Sequence, residues 1–485
     1  MLKTLLAAGL ALLGLAAAAP AAAGDPVYVV KDCPADWPTD VRTVECGTLT
    51  VDETRGAADS RRIDIAVVRV RASRPFQDAN GQALPPVVVF HGGPGGALVG
   101  GVGRRLGFWR DRPDADPMAA IDQDWIYFDQ RGGGQSTPSM DCPGVELTDA
   151  GLPSAQDAEG LTDCLKRYAD QGVQLSQYNA AVIAQDVADL ARALGLPKVD
   201  LYGGSYGPRI QAAVITHAPQ IVRVAVMDSP WPPEGNWAVH TPEQVATAVR
   251  IILGKCAAQS ECDARHPNLT ARFEANAREW LAGPRTGADG KARTVEDLAA
   301  FLMDTTYDRQ GVRRLPADLE KIIGGDLSPV AAIAEDRTYY FEGQHMAHLC
   351  KEELPFESKA ALVAGAAGDP IAEVSVPSLS RLFDVCAAID VGAADPVENA
   401  PVHTAIPTLF IAAEIDPGCP PALTRAAAAN YRDSQVMIVT NATHGVTGQN
   451  ACAARAARDF LRDPTKAVDQ TCLPAADTPL VFSED

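Results

Sequence analysis

A chain of 485 residues, 47% apolar and 21% charged, has material for one large domain with an insertion or for two ordinary domains. Its 62 acidic against 42 basic residues give a formal charge of −20. That balance disfavours nucleic acid and anionic membrane surfaces as partners, since both are polyanionic, and it is compatible with cationic ligands.

The chain starts with Met1, Leu2 and Lys3, continues in an apolar run from Leu5 to about Ala19, and then reaches Ala21-Ala22-Ala23. A charged start, a short apolar run and an A-x-A site are the parts of a secretory signal peptide. Residues 1–23 are therefore expected to be removed on export to the periplasm or the medium. The run is shorter than the ~20 apolar residues that span a bilayer, and no later segment is long enough, so no membrane insertion is expected. All eleven cysteines lie beyond it. In an exported chain they are expected to form disulfides rather than a metal site, with at least one left over. Sequence proximity suggests Cys33 with Cys46, Cys142 with Cys164, Cys256 with Cys262, and Cys452 with Cys472, although spacing does not fix connectivity. No CxxC pair occurs, which argues against a zinc ribbon or a thioredoxin-type site.

Ile63 to Val70 alternates in Ile and Val and reads as a strand. Pro86 to Phe90 and Trp125 to Phe128 are continuous apolar runs, as in strands covered on both faces. Asn179 can cap a helix carrying Ile183, Val187, Leu190 and Leu194 at helical spacing, with Gly195 as its stop. Val199 to Tyr202 is a short strand, a helix is expected just after Ser205, and Val222 to Met227 is the next strand. This alternation predicts an α/β fold, with a mostly parallel central sheet and helices on both faces. The rhythm breaks after Asp228. Residues 230–405 hold helical patterns and prolines without a clear buried strand, and read as a large, mainly helical cap over the active-site edge. The α/β pattern resumes with the strand Thr408 to Ala412, the helix Ala422 to Tyr431, the strand Gln435 to Val439 and a last helix from about Ala451 to Leu461. The expected organisation is thus 24–229 and 406–485 as two parts of one core, with 230–405 between them.

Gly203-Gly204-Ser205-Tyr206-Gly207 is a G-x-S-x-G motif, weak alone but set between a buried strand and an apolar helix. That strand–turn–helix setting is what presents a serine nucleophile in the α/β-hydrolase fold. The turn is tight enough that glycines must flank the serine. A serine needs a base, and the base an orienting acid, in the chain order Ser, Asp or Glu, His. Asp416 follows the strand TLFIAA and His444 follows the strand QVMIV, so both sit at strand C-terminal ends on the edge that carries Ser205. Asp416 alone would read as an Asp-Pro turn and His444 alone as a surface loop histidine; the three in order point to a triad. His403 precedes the acid and is a poor base, and Glu414 lies nearer its strand than an acid should. His91-Gly92-Gly93-Pro94-Gly95-Gly96, directly after PVVVF, can turn backbone N–H groups toward a developing oxyanion. The oxyanion hole is assigned to the N–H groups of Gly93 and Tyr206. No Lys-Ser/Thr follows the glycines, against a phosphate loop.

HGGPGG, Asp129-Gln130-Arg131-Gly132, GGSYG and Glu414-Ile415-Asp416-Pro417 together resemble the proline iminopeptidase and tripeptidyl aminopeptidase family, in its larger secreted branch. The resemblance runs from Cys46-Gly47 to Cys452 and Cys472. It implies a secreted serine aminopeptidase that releases N-terminal residues or short peptides from peptides with a free N-terminus, without cofactor or metal. It also implies an α-amine held by carboxylates of the cap. Cys350-Lys351-Glu352-Glu353 resembles the acidic Cys-x-Glu segment of relatives and nominates Glu352 and Glu353 as that clamp; a solvated Lys-Glu-Glu turn is the plain alternative. Three features depart from the family: Cys386-Ala387-Ala388-Ile389 lacks a tryptophan, Cys419 stands where relatives carry a small hydroxyl residue, and SPWPPEGNW after Asp228 is unusual. Cys419 is expected to be the unpaired thiol. His345 and His348 with Cys350 and Glu352 have a spacing that a zinc site permits, though an incidental pair is the commoner explanation. Arg131 is expected to form a structural ion pair. The same triad would serve a carboxylesterase or other acyl hydrolase, and a non-catalytic binding protein is a third class.

Overall fold

The computed structural model of the protein describes residues 24–483 apart from 79, 112–116, 149–150 and 336–339. The expected signal peptide, residues 1–23, lies outside them. Among the described residues no helix is long and apolar enough to cross a membrane.

The main sheet has nine strands: β1 Val27–Lys31, β2 Val44–Asp52, β3 Arg62–Val70, β4 Val87–Phe90, β5 Trp125–Phe128, β6 Val199–Ser205, β7 Val222–Pro230, β8 Thr408–Ala413 and β9 Ser434–Val439. Their spatial order is β1-β2-β3-β5-β4-β6-β7-β8-β9. The first three pair antiparallel, β3 pairs antiparallel with β5, and all pairings from β5 to β9 are parallel. The uninterrupted apolar runs are where full burial demands them: every residue of β4, β5 and β8 is buried. Val88 and Phe90 join one apolar cluster and Val87 and Val89 the other, so each face of the sheet has its own core. Helices Ala180–Ala193 and Gly207–His217 pack into the first cluster, and Val102–Asp111 and Ala451–Arg462 into the second. This is the α/β-hydrolase architecture, with helices on both faces of a largely parallel sheet. The chain order reverses between the neighbours β4 and β6, so the loops that follow these strands open side by side at the edge where such sheets bind ligands.

Caps account for helix starts that hydrophobic spacing marks only roughly. The side chain of Asn179 accepts from Val182 N–H at 3.1 Å, and that of Asn450 accepts from Cys452 N–H at 2.9 Å. Between β7 and β8 the chain forms helices from Trp237 to Ile389, with one small hairpin pairing Arg285–Thr286 with Ala292–Arg293. Buried residues of this insertion, among them Val245, Leu298 and Leu379, belong to the same cluster as Phe90 and Ile210. The insertion therefore shares an apolar core with one face of the sheet.

Disulfides join Cys33–Cys46, Cys142–Cys164, Cys256–Cys262 and Cys452–Cys472, the four pairs suggested by proximity. A fifth, Cys350–Cys386, links helix Glu342–Glu352 to helix Val376–Ile389 across 36 residues, and Cys419 is the free cysteine. A bridge closing a loop of that size removes about 4 kcal/mol of chain entropy from the unfolded state. The double substitution Cys350→Ser, Cys386→Ser is therefore expected to lower stability by about 2–4 kcal/mol. Urea unfolding of the two proteins, with the other bridges intact, measures the difference.

Candidate active site

β6 ends on Ser205, whose φ of +63° is a strained value for any residue with a side chain, and the helix begins at Gly207. Glycine is required on either side. A Cβ on Gly203 would lie 2.8 Å from the Phe90 carbonyl oxygen, and one on Gly207 2.7 Å from the same atom. On the other side of the turn, a Cβ on Gly92 would come within 2.7 Å of the Ser205 Cβ. The loop after β4 is thus pressed against the serine.

Asp416 and His444 arrive from the ends of β8 and β9. His444 Nδ1 lies 2.9 Å from Asp416 Oδ2, while Asp416 Oδ1 accepts from the N–H groups of Gly418 at 3.1 Å and Cys419 at 2.8 Å. Burial opposes ionisation of Asp416, but the neighbouring imidazole and these hydrogen bonds hold its carboxyl below the usual range. Burial likewise opposes protonation of His444, and the Asp416 carboxylate outweighs it, raising the imidazole above its ordinary value. Ser205 and His444 face one cavity of about 410 Å3. Glu414, the rival acid, instead pairs with Lys255 at 3.1 Å and accepts from Asn441 N–H at 2.8 Å. His403 is not among the residues that line the cavity.

Two residues that the sequence reading passed over hold the histidine loop. Asp228, at the end of β7, accepts from the N–H groups of Val446 at 2.9 Å and Thr447 at 2.8 Å and from the Thr447 hydroxyl at 2.6 Å. Ser229 Oγ accepts from Gly445 N–H at 3.0 Å. Their signal in the sequence was position alone: the polar end of a buried strand on the ligand-binding edge. Tyr307, from the insertion, sets its ring edge-to-face with His444 at 4.8 Å.

Gly93 also lines the cavity, at a φ of +113° that glycine alone tolerates. Among the described residues neither its N–H nor that of Tyr206 donates a hydrogen bond within the protein. The glycine loop is braced from outside: Gln130 Nε2 donates to His91 O at 3.1 Å, Phe341 N–H to Gly95 O at 3.0 Å, and Asp129 accepts from Leu98 and Val99 N–H at 2.6 and 2.9 Å. Arg131 makes two 2.7 Å hydrogen bonds to Asp186, a fully buried structural pair.

Glu352 and Glu353 are not on the cavity wall, which corrects their nomination as an amine clamp. Both are buried and engaged. Glu353 bonds Arg209 at 2.5 Å and accepts from Trp237 N–H at 2.6 Å; Glu352 accepts from Ala180 N–H at 2.8 Å and from the Tyr206 hydroxyl. Their oxygens are taken by these partners and they lie off the cavity wall, so they are not placed to receive an incoming ammonium. The spacing that a zinc site permits is also otherwise used: Cys350 is in a disulfide, and both ring nitrogens of His345 face carbonyls.

The cavity is walled by Trp231, Trp237, Tyr307 and Tyr340, with His91 and Cys419, and among the described residues that line it none is a carboxylate. Asp416, Cys419 and His444 place ligand-type atoms within 4.8 Å of one another, but Asp416 and His444 are already spent on their mutual hydrogen bond. Burial and the Asp416 charge push the Cys419 thiol well above its ordinary value, so it is protonated at neutral pH.

Residues 373–472 match a family described as TAP-like protein. Tripeptidyl aminopeptidases of Streptomyces lividans and Streptomyces coelicolor are each 27% identical over 212 residues, which cover 41% of this chain and 37% of theirs. The match thus spans well under half of those relatives. Among solved structures, an α/β-hydrolase from a Medee basin deep-sea metagenome covers 84% of this chain and 97% of its own at 11% identity and a TM-score of 0.38. An esterase from Thermogutta terrifontis covers 86% and 99% at 16% identity and a TM-score of 0.34. Scores this low leave the fold resting on the strand order above.

Because Cys419 is protonated and buried in the cavity wall, iodoacetamide is expected to alkylate it slowly in the native protein and promptly in urea. Mass spectrometry of unreduced protein should find one modified cysteine per chain after unfolding; rapid native labelling would contradict the burial.

Proposed function

From the premise that this chain is an α/β-hydrolase of the TAP-like family, we propose that it is an exported serine aminopeptidase. It cleaves N-terminal residues or short peptides from peptides through Ser205, His444 and Asp416. The observation that carries the hydrolase part is the 2.9 Å His444–Asp416 hydrogen bond behind an imidazole that shares a cavity with Ser205. Ser205 Oγ attacks the scissile carbonyl while His444 Nε2 takes its proton; Asp416 fixes the Nδ1–H tautomer and stabilises the imidazolium. The carbonyl oxygen, now negative, is received by the N–H groups of Gly93 and Tyr206, which have no competing acceptor among the described residues. The imidazolium then protonates the leaving amine, and water, activated by the same imidazole, releases the acyl group from Ser205. The peptide part rests on the Streptomyces relatives, and export on the leader-like N-terminus together with five disulfides, which suit an oxidising compartment.

A second reading, a carboxylesterase, is favoured by one specific observation: the cavity wall is aromatic, and among the described residues that line it none is a carboxylate. An amine-selective enzyme needs a counter-charge or its equivalent near the scissile bond, whereas an ester needs none. An aminoacyl or peptidyl amide, its N-acetylated form and a short neutral ester separate the two. Loss of turnover on acetylation supports the aminopeptidase, and turnover of the ester with indifference to acetylation supports the esterase.

Ser205→Ala and His444→Ala are each expected to lower kcat by roughly a millionfold, and Asp416→Asn by about 10⁴-fold. Near-wild-type turnover by folded Ser205→Ala would remove the assignment. The base must be neutral to accept a proton, so kcat/KM should fall as pH drops through the His444 pKa, which the Asp416 carboxylate holds above 6.5. A pH profile should show that midpoint moving down in Asp416→Asn.

A further inference from the structure

Helix Glu342–Glu352 turns one polar face to the core. His345, His348 and Glu352 stand at i, i+3 and i+7, so they line up along a single stripe, and all three are at most 2% exposed. Apolar side chains would pack a helix here at lower cost, since every buried polar atom must be matched. The match is incomplete: His348 Nε2 is buried without a partner among the described residues. What the stripe touches is specific. His345 Nδ1 lies 2.8 Å from Pro94 O and its Nε2 3.1 Å from Gly151 O. His348 Nδ1 lies 2.5 Å from the Tyr206 hydroxyl, and that hydroxyl donates to Glu352 Oε1. The order of donors is therefore His348 Nδ1–H to Tyr206, and Tyr206 O–H to the carboxylate. Glu352 is ionised in this chain: burial opposes its charge, but the bonds from His348 and the Arg209 charge hold its carboxyl below the usual range.

Pro94 follows Gly93, and Tyr206 follows Ser205. We propose that this helix face is the positioning device of the oxyanion hole, holding the Gly93 N–H through His345 and the Tyr206 N–H through His348 and Glu352. The two donors come from loops after different strands, β4 and β6, and the stripe spans both. Phe341 N–H, one residue before the helix, adds a third tie at Gly95 O, 3.0 Å away. The side chains act through the backbone donors and do not line the cavity. A sub-ångström shift of either N–H is felt only when negative charge develops on the carbonyl oxygen, so the effect belongs to the transition state.

The inference rests on the triad and oxyanion assignments above, and its test separates the two. The variants are Tyr206→Phe, which keeps the backbone N–H and removes the hydroxyl, His345→Leu, and His345→Gln, which retains an amide donor for Pro94 O. Each is assayed on an ester and a free-amine peptide, and against a trifluoromethyl ketone, which adds to the serine and places an oxyanion in the hole. Tyr206→Phe and His345→Leu are expected to lower kcat about 10- to 100-fold on any substrate the wild type turns over, with KM little changed and inhibitor affinity falling in proportion. His345→Gln should recover part of the His345→Leu loss, and Tyr206→Phe combined with Glu352→Gln should cost little more than Tyr206→Phe alone, because both cut the same chain of bonds. Thermal unfolding identifies any variant lost to folding, and the His345→Gln against His345→Leu comparison is then made at matched folded fraction. Folded variants with wild-type kcat and inhibitor affinity, or with losses confined to KM, would overturn the proposal. If instead wild-type protein fails to bind the ketone and Ser205→Ala retains turnover, it is the catalytic assignment that falls.

Discussion

A guanidinium with almost no access to water, Arg209 at 2% exposure, sits in the first turn of the helix that follows Ser205. Such a charge is tolerable only when it is paired and fully hydrogen-bonded, and removing one partner of a buried pair costs about 3–5 kcal/mol. Its partners come from across the fold: the Glu353 carboxylate and the Glu352 carbonyl at the end of helix Glu342–Glu352, Pro233 O after β7, and Glu398 O shortly before β8. Glu353 in turn accepts from Trp237 N–H, so the aromatic wall of the cavity hangs on the same charge. Glu357, beside it, caps the next N–H groups of that helix, and burial together with the Glu353 charge pushes its carboxyl up to about 9, so it keeps its proton at neutral pH. The insertion is thus fastened to the nucleophile helix by ion pairing as well as by their common apolar core.

Most of the candidate site was legible because its signals are local. Gly203-Gly204-Ser205-Tyr206-Gly207 carries its own steric reason, namely the Phe90 carbonyl against which no Cβ fits. Asp416 and His444 follow unmistakable buried strands. Four disulfides close short loops, and proximity suffices for those. Cys350–Cys386 escaped because its halves lie on helices 36 residues apart whose packing no local pattern announces. The misplacement of Glu352 and Glu353 has the same origin. Lys-Glu-Glu before a proline looks like a solvated turn or a ligand clamp, depending on what faces it, and what faces it is Arg209, more than 140 residues earlier. His345 and His348 likewise read as an incidental pair until their partners, Pro94 and Tyr206, are in view. Sequence pattern reports what an element does for itself, whereas buried ion pairs are satisfied by whichever distant element the topology brings alongside.

The division of labour that results bears on substrate choice. The proposed nucleophile, acid and base all stand at strand ends of the sheet, and the proposed oxyanion donors just after β4 and β6. Among the cavity-lining residues, Trp237, Tyr307 and Tyr340 come instead from the insertion. Substituting those rings changes what fits beside the scissile bond without moving a proton-transfer group, except at Tyr307, whose ring also touches His444. Such a wall offers a ligand shape and apolar contact, which discriminate weakly, about 1–3 kcal/mol for a methylene. A charged determinant such as an α-amine would demand a buried counter-charge, and the acidic pair Glu352 and Glu353 is already engaged with Arg209. The acidic pair that the sequence put forward therefore does not supply the counter-charge that the proposed selection for a free N-terminus would need.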